Sequence, residues 1–383
     1  MNSILKNLIS KFTDAIPKLT ETDTLLTRIG KNSNITKSEL KALGDTAYDT
    51  ASKYGKTADS YLASADAMAK AHAENVKAMA ELSLLAQTAG DISSDTADKY
   101  LIAANVAYDL KSNVKDLSEL LNGQYSIAAN TSVSLEDMAS ATSEAASSAA
   151  QYGITMEELS SLIAVAASST NESGTKIGNS LASVFENLQN VNDSSVTGIF
   201  DSLNISMTIM EDGIKRLKTP IELLKELSEV YSSLSVDSGL KNNILTSIGS
   251  DYNSNTISAI LSDWSAYEEM LTLYSTGSGS VFEGAELSAD SLSGALTRLN
   301  NTWEDTVGNV MSSDELTAAA NGLNSFLSII NKITEKIGSL GTLGATIGGI
   351  LTNKNEGKTF MFSKLELPFA INMLIVCNVA NER

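Results

Sequence analysis

Three prolines, Pro17, Pro220 and Pro368, are all that this 383-residue chain contains, and none lies between Lys18 and Thr219. Proline costs about 3 kcal/mol inside a helix, because it removes an amide donor and clashes with the preceding turn. So long a stretch without it, rich in Ala, Leu, Glu and Lys, predicts helices joined by turns, and strand signals are weak. The expected fold is all-α: helical hairpins and an elongated helix bundle with glycine-marked turns. Aromatic residues make up only 5% of the chain. A core must then come mainly from Ala, Leu, Ile and Val. Small side chains let helices approach closely, but each buries little apolar area.

Helix starts are legible as capping chemistry. Thr36 with Glu39, Thr155 with Glu158, Thr219 with Glu222 and Ser312 with Glu315 have the spacing of a capping box, and Ser134 with Asp137 is a weaker relative. In each, a side-chain oxygen satisfies an amide that the first turn leaves orphaned. Pro220 falls at the first helical position, where its missing N–H costs nothing. Stops are expected at Gly90, Gly153 and Gly338, since glycine suits the left-handed residue past a helix end. Ser134–Met138 and Thr155–Leu159 each open a helix, and with Gly153 between them they predict a helical hairpin. Apolar stripes at helical spacing run through Ile221, Leu224, Leu227, Val230, Tyr231 and Leu234, and through Leu323, Phe326, Leu327, Ile330, Ile333 and Ile337. At the N-terminus Ile4, Leu5, Leu8, Ile9, Phe12 and Ile16 mark an amphipathic helix. Lys6 and Lys11 interrupt it too often for a signal peptide.

The chemistry available is narrow. Net charge is −19 with a pI near 4.5. That disfavours direct nucleic-acid binding, which Lys and Arg drive on phosphates, and docking on anionic lipid. One cysteine, Cys377, forms no intrachain disulfide, and one histidine, His72, makes a His–Cys zinc cluster impossible. His72 sits in an Ala-rich stretch and is expected to be a plain helix residue. Gly174-Thr-Lys-Ile-Gly178-Asn-Ser180 has the wrong order for a phosphate loop and is expected to be a turn into a helix. Asp91 to Asp95 lacks the calcium-loop ladder, and Asp95 is better placed in a first helical turn. No catalytic, cofactor-binding or metal-ligating residue is nominated, and no cofactor. Two uncharged apolar stretches remain, Ile337 to Leu351 with five glycines and Leu367 to Ala380. Both are shorter than the roughly 17–25 residues that span a bilayer.

An ordered series of short stretches carries a resemblance. It begins with Leu43-Gly-Asp-Thr-Ala-Tyr-Asp-Thr-Ala-Ser-Lys-Tyr-Gly-Lys56 and Asp59-Ser-Tyr-Leu62. It continues with Glu81-Leu-Ser-Leu-Leu-Ala-Gln-Thr-Ala-Gly-Asp91, Leu121-Asn-Gly-Gln124 and Asn130 to Met138. Then come Gly153 to Leu159, Glu172-Ser-Gly174 with Gly178 and Phe185, and Asn321 to Leu327. Together, over roughly residues 20–358, these resemble the core region of tape-measure proteins from tailed phages of low-GC Gram-positive bacteria. The resemblance implies a structural, non-enzymatic protein of the virion tail lumen, made in the host cytoplasm. Tail-tube subunits would polymerise around it, tail length would follow it, and it would leave during genome delivery. Implied partners are the tail-tube protein, tail assembly chaperones, distal tail or baseplate hub proteins and further copies of itself. Membrane contact during ejection would be transient.

The corresponding division is a 1–35 amphipathic helix and linker, a 36–234 helical core and a 235–284 Ser/Asn/Gly-rich connecting region. Helices with the Gly-rich apolar segment follow over 285–358, and 359–383 form an atypical tail. Within the connecting region, Ser275 to Ser280 is expected to be flexible. Tape-measure chains are usually much longer, so a truncated copy is expected. The alternative expectation is a helical pore-forming or membrane-remodelling protein that uses the Gly-rich segment.

Overall fold

Side-chain caps open most of the helices that can be described. The computed structural model describes residues 3–310 apart from 236 and 237, with side chains from residue 14 onward except at 250–252 and 310. The Ser312–Glu315 cap, the 323–337 stripe, Gly338, the Gly-rich segment, the tail with Cys377 and the 321–327 stretch lie outside the described residues.

In chain order the first elements are α1 (Ser3–Asn32), α2 (Lys37–Asp45), α3 (Ala47–Lys53), α4 (Ala58–Lys70), α5 (Val76–Ala89) and α6 (Ser94–Ala107). There follow α7 (Val114–Asn130), α8 (Leu135–Gln151), α9 (Met156–Thr170), α10 (Gly174–Gln189) and α11 (Ser194–Ser202). A two-stranded antiparallel ribbon, β1 (Thr208–Glu211) with β2 (Ile214–Leu217), comes next. The last are α12 (Pro220–Ser233), α13 (Gly239–Ser262), α14 (Trp264–Ser275), α15 (Ser280–Ala289) and α16 (Leu292–Val310). The all-α reading holds, with that ribbon as its exception. Among the described residues, those up to Asp66 and from Ser288 onward form one compact unit, and Ala67–Leu287 a second.

In the first unit α16 packs on α1 and α3, and α1 on α2. Its core includes Leu25, Ile29, Leu43, Tyr48, Ala51, Tyr61, Trp303 and Val307. The buried Asn301 donates to Ser52 Oγ at 3.0 Å and to the Lys56 carbonyl at 2.8 Å, tying α16 to the end of α3. The N-terminal helix is longer than expected: α1 runs on through Pro17 to Asn32, so most of the segment read as linker is helical. The missing proline N–H costs one backbone bond, and the remaining turns outweigh it.

The second unit is built around α9, where Leu159 to Ala166 are all buried. Around it pack α7, α8, α10, α13 and α14, while α6 and α10 pack on α8. The α8–α10 contact shows what the small residues do. A Cβ on Gly174 would lie 2.1 Å from the Asp137 carbonyl oxygen, and one on Gly178 would lie 2.4 Å from that of Ala141. Both glycines therefore face the α8 backbone directly. Gly174 does open a helix, with Ser173 as its cap, and its reason for being glycine is this contact.

Helices end in a recurring way. After α4, the His72 amide donates to the Ala69 carbonyl at 3.1 Å and the Ala73 amide to Met68 at 3.0 Å. The same pair of bonds closes α3 at Gly55, α6 at Asp109, α8 at Gly153 and α11 at Asn204, each with positive φ. This is the Schellman geometry. His72 is thus an exposed left-handed turn residue with φ 56°, and the expectation of a helix residue is corrected. At Gly90 the helix stops as expected, but the left-handed residue is Asp91, with φ 51°. Gly90 is needed because a Cβ there would lie 2.4 Å from Leu135 Cδ2.

The Ser/Asn/Gly-rich stretch 235–284 is also corrected. It is mostly helix, and α13 and α14 pack on α7, α9, α10 and α12. Its expected flexible piece is seated: Ser280 Oγ donates to the Asn122 carbonyl at 3.1 Å, and a Cβ on Gly277 would lie 2.5 Å from that oxygen. Serine and asparagine here satisfy each other and the backbone, which composition alone does not distinguish from solvation.

These contacts make a paired test. Gly178→Ala forces α8 and α10 apart and should lower stability by roughly 1–3 kcal/mol, the range for overpacking. Gly198→Ala, in α11 with nothing within 4 Å of the new Cβ, should raise stability by about 0.5–1 kcal/mol through helix propensity. Urea unfolding followed by circular dichroism reads both.

Candidate functional site

Polar residues inside the second unit form discrete nodes between helices. The deepest joins α7, α8 and α9. Gln124 Nε2 donates at 2.9 Å to both Thr142 Oγ1 and Ser160 Oγ, whose own protons go to the Met138 and Met156 carbonyls. Ser83 Oγ donates to Asp98 Oδ1 at 2.6 Å, joining α5 to α6, and Ser180 Oγ to Asn253 Oδ1 at 2.9 Å, joining α10 to α13. Glu172, at the α9–α10 turn, accepts from Thr256 Oγ1 at 3.1 Å and Asn255 Nδ2 at 3.3 Å. Burial alone would raise its pKa, but Lys176, Asn255 and Thr256 hold the carboxyl below its ordinary value. Such nodes fix helix register, because a shift would leave buried polar atoms unpaired.

The ribbon is largely exposed. Asp212 and Gly213 both have positive φ, at 50° and 79°, as a two-residue type I′ hairpin turn requires. Ile209 and Arg216 pair across the strands, as do Glu211 and Ile214, so these four share one face. Met210 and Ile214 are 63% and 70% exposed, which leaves apolar surface near the turn. At the other end the ribbon is anchored. Lys218 N donates to the Met207 carbonyl at 2.9 Å, its carbonyl accepts from Gln189 Nε2 at 2.9 Å, and its buried ammonium pairs with Glu226. Arg216 bonds Glu211 and forks onto Glu222 at 2.8 and 2.9 Å. Glu222 also accepts from the Thr219 amide at 2.7 Å, so one carboxylate serves both the cap of α12 and the ribbon. Arg216 and then, against burial, the Thr219 amide bring its pKa down to about 2.

The first unit holds a charged cluster. Lys18 on α1 pairs with Glu21 at 3.0 Å and with Asp59 on α4 at 3.2 Å, and Thr22 Oγ1 donates to Asp59 Oδ1 at 3.0 Å. Glu304 on α16 faces the same group. Burial, then the Asp59 charge, push its carboxyl up to about 7. Burial raises the nearby Tyr48 hydroxyl to about 12.

Among the described residues, no three His, Cys, Asp or Glu side chains converge as metal ligands, and no helix is long and apolar enough to cross a membrane. Asp95 stands in the first turn of α6, paired with Lys99 at 2.7 Å. The ribbon escaped the sequence reading, although Asp212-Gly213 between Met210 and Ile214 is a hairpin signal. The nodes and the Glu304 cluster leave no local signal, because their members are far apart in the chain.

Glu222 carries a pH test. Its carboxyl titrates near the ordinary 4.5 when unfolded and near 2 when folded, so the ionised form stabilises the fold. The stabilisation is present above pH 4.5 and is lost as pH falls toward 2. Amide exchange of Ile214–Leu217, corrected for intrinsic rates, should therefore speed up on acidification, and Glu222→Gln should remove that dependence.

A model of the family described as phage-related minor tail protein matches residues 44–249, more than half of the chain, from within α2 to within α13. No curated protein and no solved structure matches.

Proposed function

From the premise that this chain belongs to the phage-related minor tail protein family, we propose that it acts as the tape measure of a phage tail. In this reading it is a structural component, not an enzyme. Tail-tube subunits polymerise around it in the presence of tail assembly chaperones. Copies of it lie together in the tail lumen against distal tail or baseplate hub proteins, and it is expelled as the genome is delivered.

The supporting observation is the family match over 44–249, a stretch that is helical apart from the ribbon and its turns. Most of the ordered stretches that resemble tape-measure cores fall inside it. Physically, a helix rises about 1.5 Å per residue, so the 383 residues would reach at most about 570 Å as one helix. The turns at Gly55, Gly153 and Asn204 break the helix, and the longest described helix has 30 residues.

The test is made in the encoding phage. Duplicating the α8–α9 hairpin in frame should lengthen tails, by up to about 54 Å if all 36 residues from Leu135 to Thr170 become extended helix. Deleting it should shorten them. Electron microscopy measures the tails, and lengths unchanged in both variants would overturn the proposal.

A further inference from the structure

Asp212-Gly213 is the only Asp-Gly pair in the chain, and it forms the tip of the ribbon. Its residues have φ 50° and 79°, both are exposed, and the pairing of Glu211 with Ile214 closes the ribbon just behind them. In a two-residue loop the closing bonds run between the flanking residues, so the ladder does not use the amides of the loop itself. Among the described residues, no hydrogen bond or ion pair engages the Asp212 carboxyl or the Gly213 amide. Gly213 has no side chain to shield that amide, and nothing lies within 4 Å of where a Cβ would stand.

Two comparable places are held instead. Asn122-Gly123 carries a more reactive side-chain amide before its glycine, yet it lies inside α7, where the helical ladder engages the backbone amide. Asn122 Oδ1 accepts from the Val281 amide at 3.2 Å. Asp193 is exposed, but its carboxylate caps α11 by accepting from the Ser195 amide at 2.8 Å.

We propose that Asp212 is a site of spontaneous backbone isomerisation through a cyclic imide. The Gly213 nitrogen bonds to Asp212 Cγ, and the carboxyl hydroxyl and the amide proton leave together as water. Water then reopens the ring. Attack at Cγ restores aspartate, whereas attack at the main-chain carbonyl carbon routes the backbone through the side chain as isoaspartate. No further reactant is needed. The product lengthens the main chain by a methylene at the turn, and a two-residue loop has no slack for it, because its geometry sets the register of both strands. Glu211 stands beside the change, bonded to the Arg216 that also forks onto Glu222. The tip of the ribbon therefore opens and the Glu211 contact is lost, while Lys218 stays anchored to Met207 and Gln189. The chemistry is independent of any role in a phage tail.

The full-length protein, native and urea-denatured, is held at physiological pH and temperature and sampled over weeks. Peptide mapping by mass spectrometry, with electron-transfer fragmentation to separate isoaspartate from aspartate, locates the product. Isoaspartate at 212 should accumulate in the native protein, while Asn122 deamidates only in the denatured chain. Asp212→Asn should speed its appearance, since ammonia leaves in place of water. Asp212→Glu should abolish it, since the longer side chain would have to close a larger, slower-forming ring. Residue 212 is exposed, so both variants keep the core. Hydrogen exchange on the aged protein should show protection lost at Glu211–Ile214 and kept at the Lys218 amide. Aspartate retained at 212 in the native protein, whether or not the denatured chain reacts, would overturn the proposal.

Discussion

Everything in the second unit depends on α9 being buried on all sides. A helix in a surface position needs one apolar stripe, whereas a helix enclosed by others must offer small or apolar groups all round. The run Leu-Ser-Ser-Leu-Ile-Ala-Val-Ala from Leu159 meets that condition. Its two serines are tolerable because each donates to a carbonyl one turn back, Ser160 to Met156 and Ser161 to Glu157. Ser160 then has a lone pair free for Gln124. Without that local satisfaction, each buried hydroxyl would cost about 1–3 kcal/mol.

Enclosing α9 with 5% aromatic content requires close approach rather than large side chains. Gly174 and Gly178 bring α10 onto the α8 backbone, and Gly123 accepts the ring of Tyr274, whose Cδ2 lies 2.4 Å from where a Cβ would stand. Close packing of small groups gains dispersion contacts but removes less apolar area per residue than a leucine-rich bundle would. It also specifies register weakly, since alanines slide past one another with little steric penalty. The polar nodes at Gln124, Asp98 and Asn253 add directional bonds between helices that a slide of one helix along another would break.

How much of this was legible in the sequence follows the range of each interaction. Capping is local, and Thr36, Thr155 and Thr219 cap their helices with complete boxes, as their spacing implies. Gly153 is likewise local. The α12 stripe is legible by helical spacing, but the fully buried Leu223 falls outside it, because the enclosing α13 widens the face beyond one row of residues. The hairpin at Asp212-Gly213 carried a local signal that the helical context outweighed. At His72 an Ala-rich composition predicts helix, while the stop is set by the Ala69 and Met68 carbonyls that it and Ala73 close. The Glu304 cluster gathers residues from α1, α3, α4 and α16, and no window of sequence contains it.

The turns also bear on length. At α8–α9 two independent devices meet: the Schellman closure through Gly153 and the capping box of Thr155 with Glu158. Either alone makes a continuous helix unfavourable there, the first by satisfying the last carbonyls and the second by satisfying the first amides. The stop is therefore written into the backbone and does not rely on tertiary packing. Extending this segment toward the limiting rise per residue requires both devices to be released together with the buried contacts of α9. The α13–α14 joint differs: a single residue, Asp263, separates the two helices and caps the second. Joints of the two kinds therefore oppose straightening to different degrees, the α8–α9 turn through two backbone devices and the α13–α14 joint through the cap of Asp263.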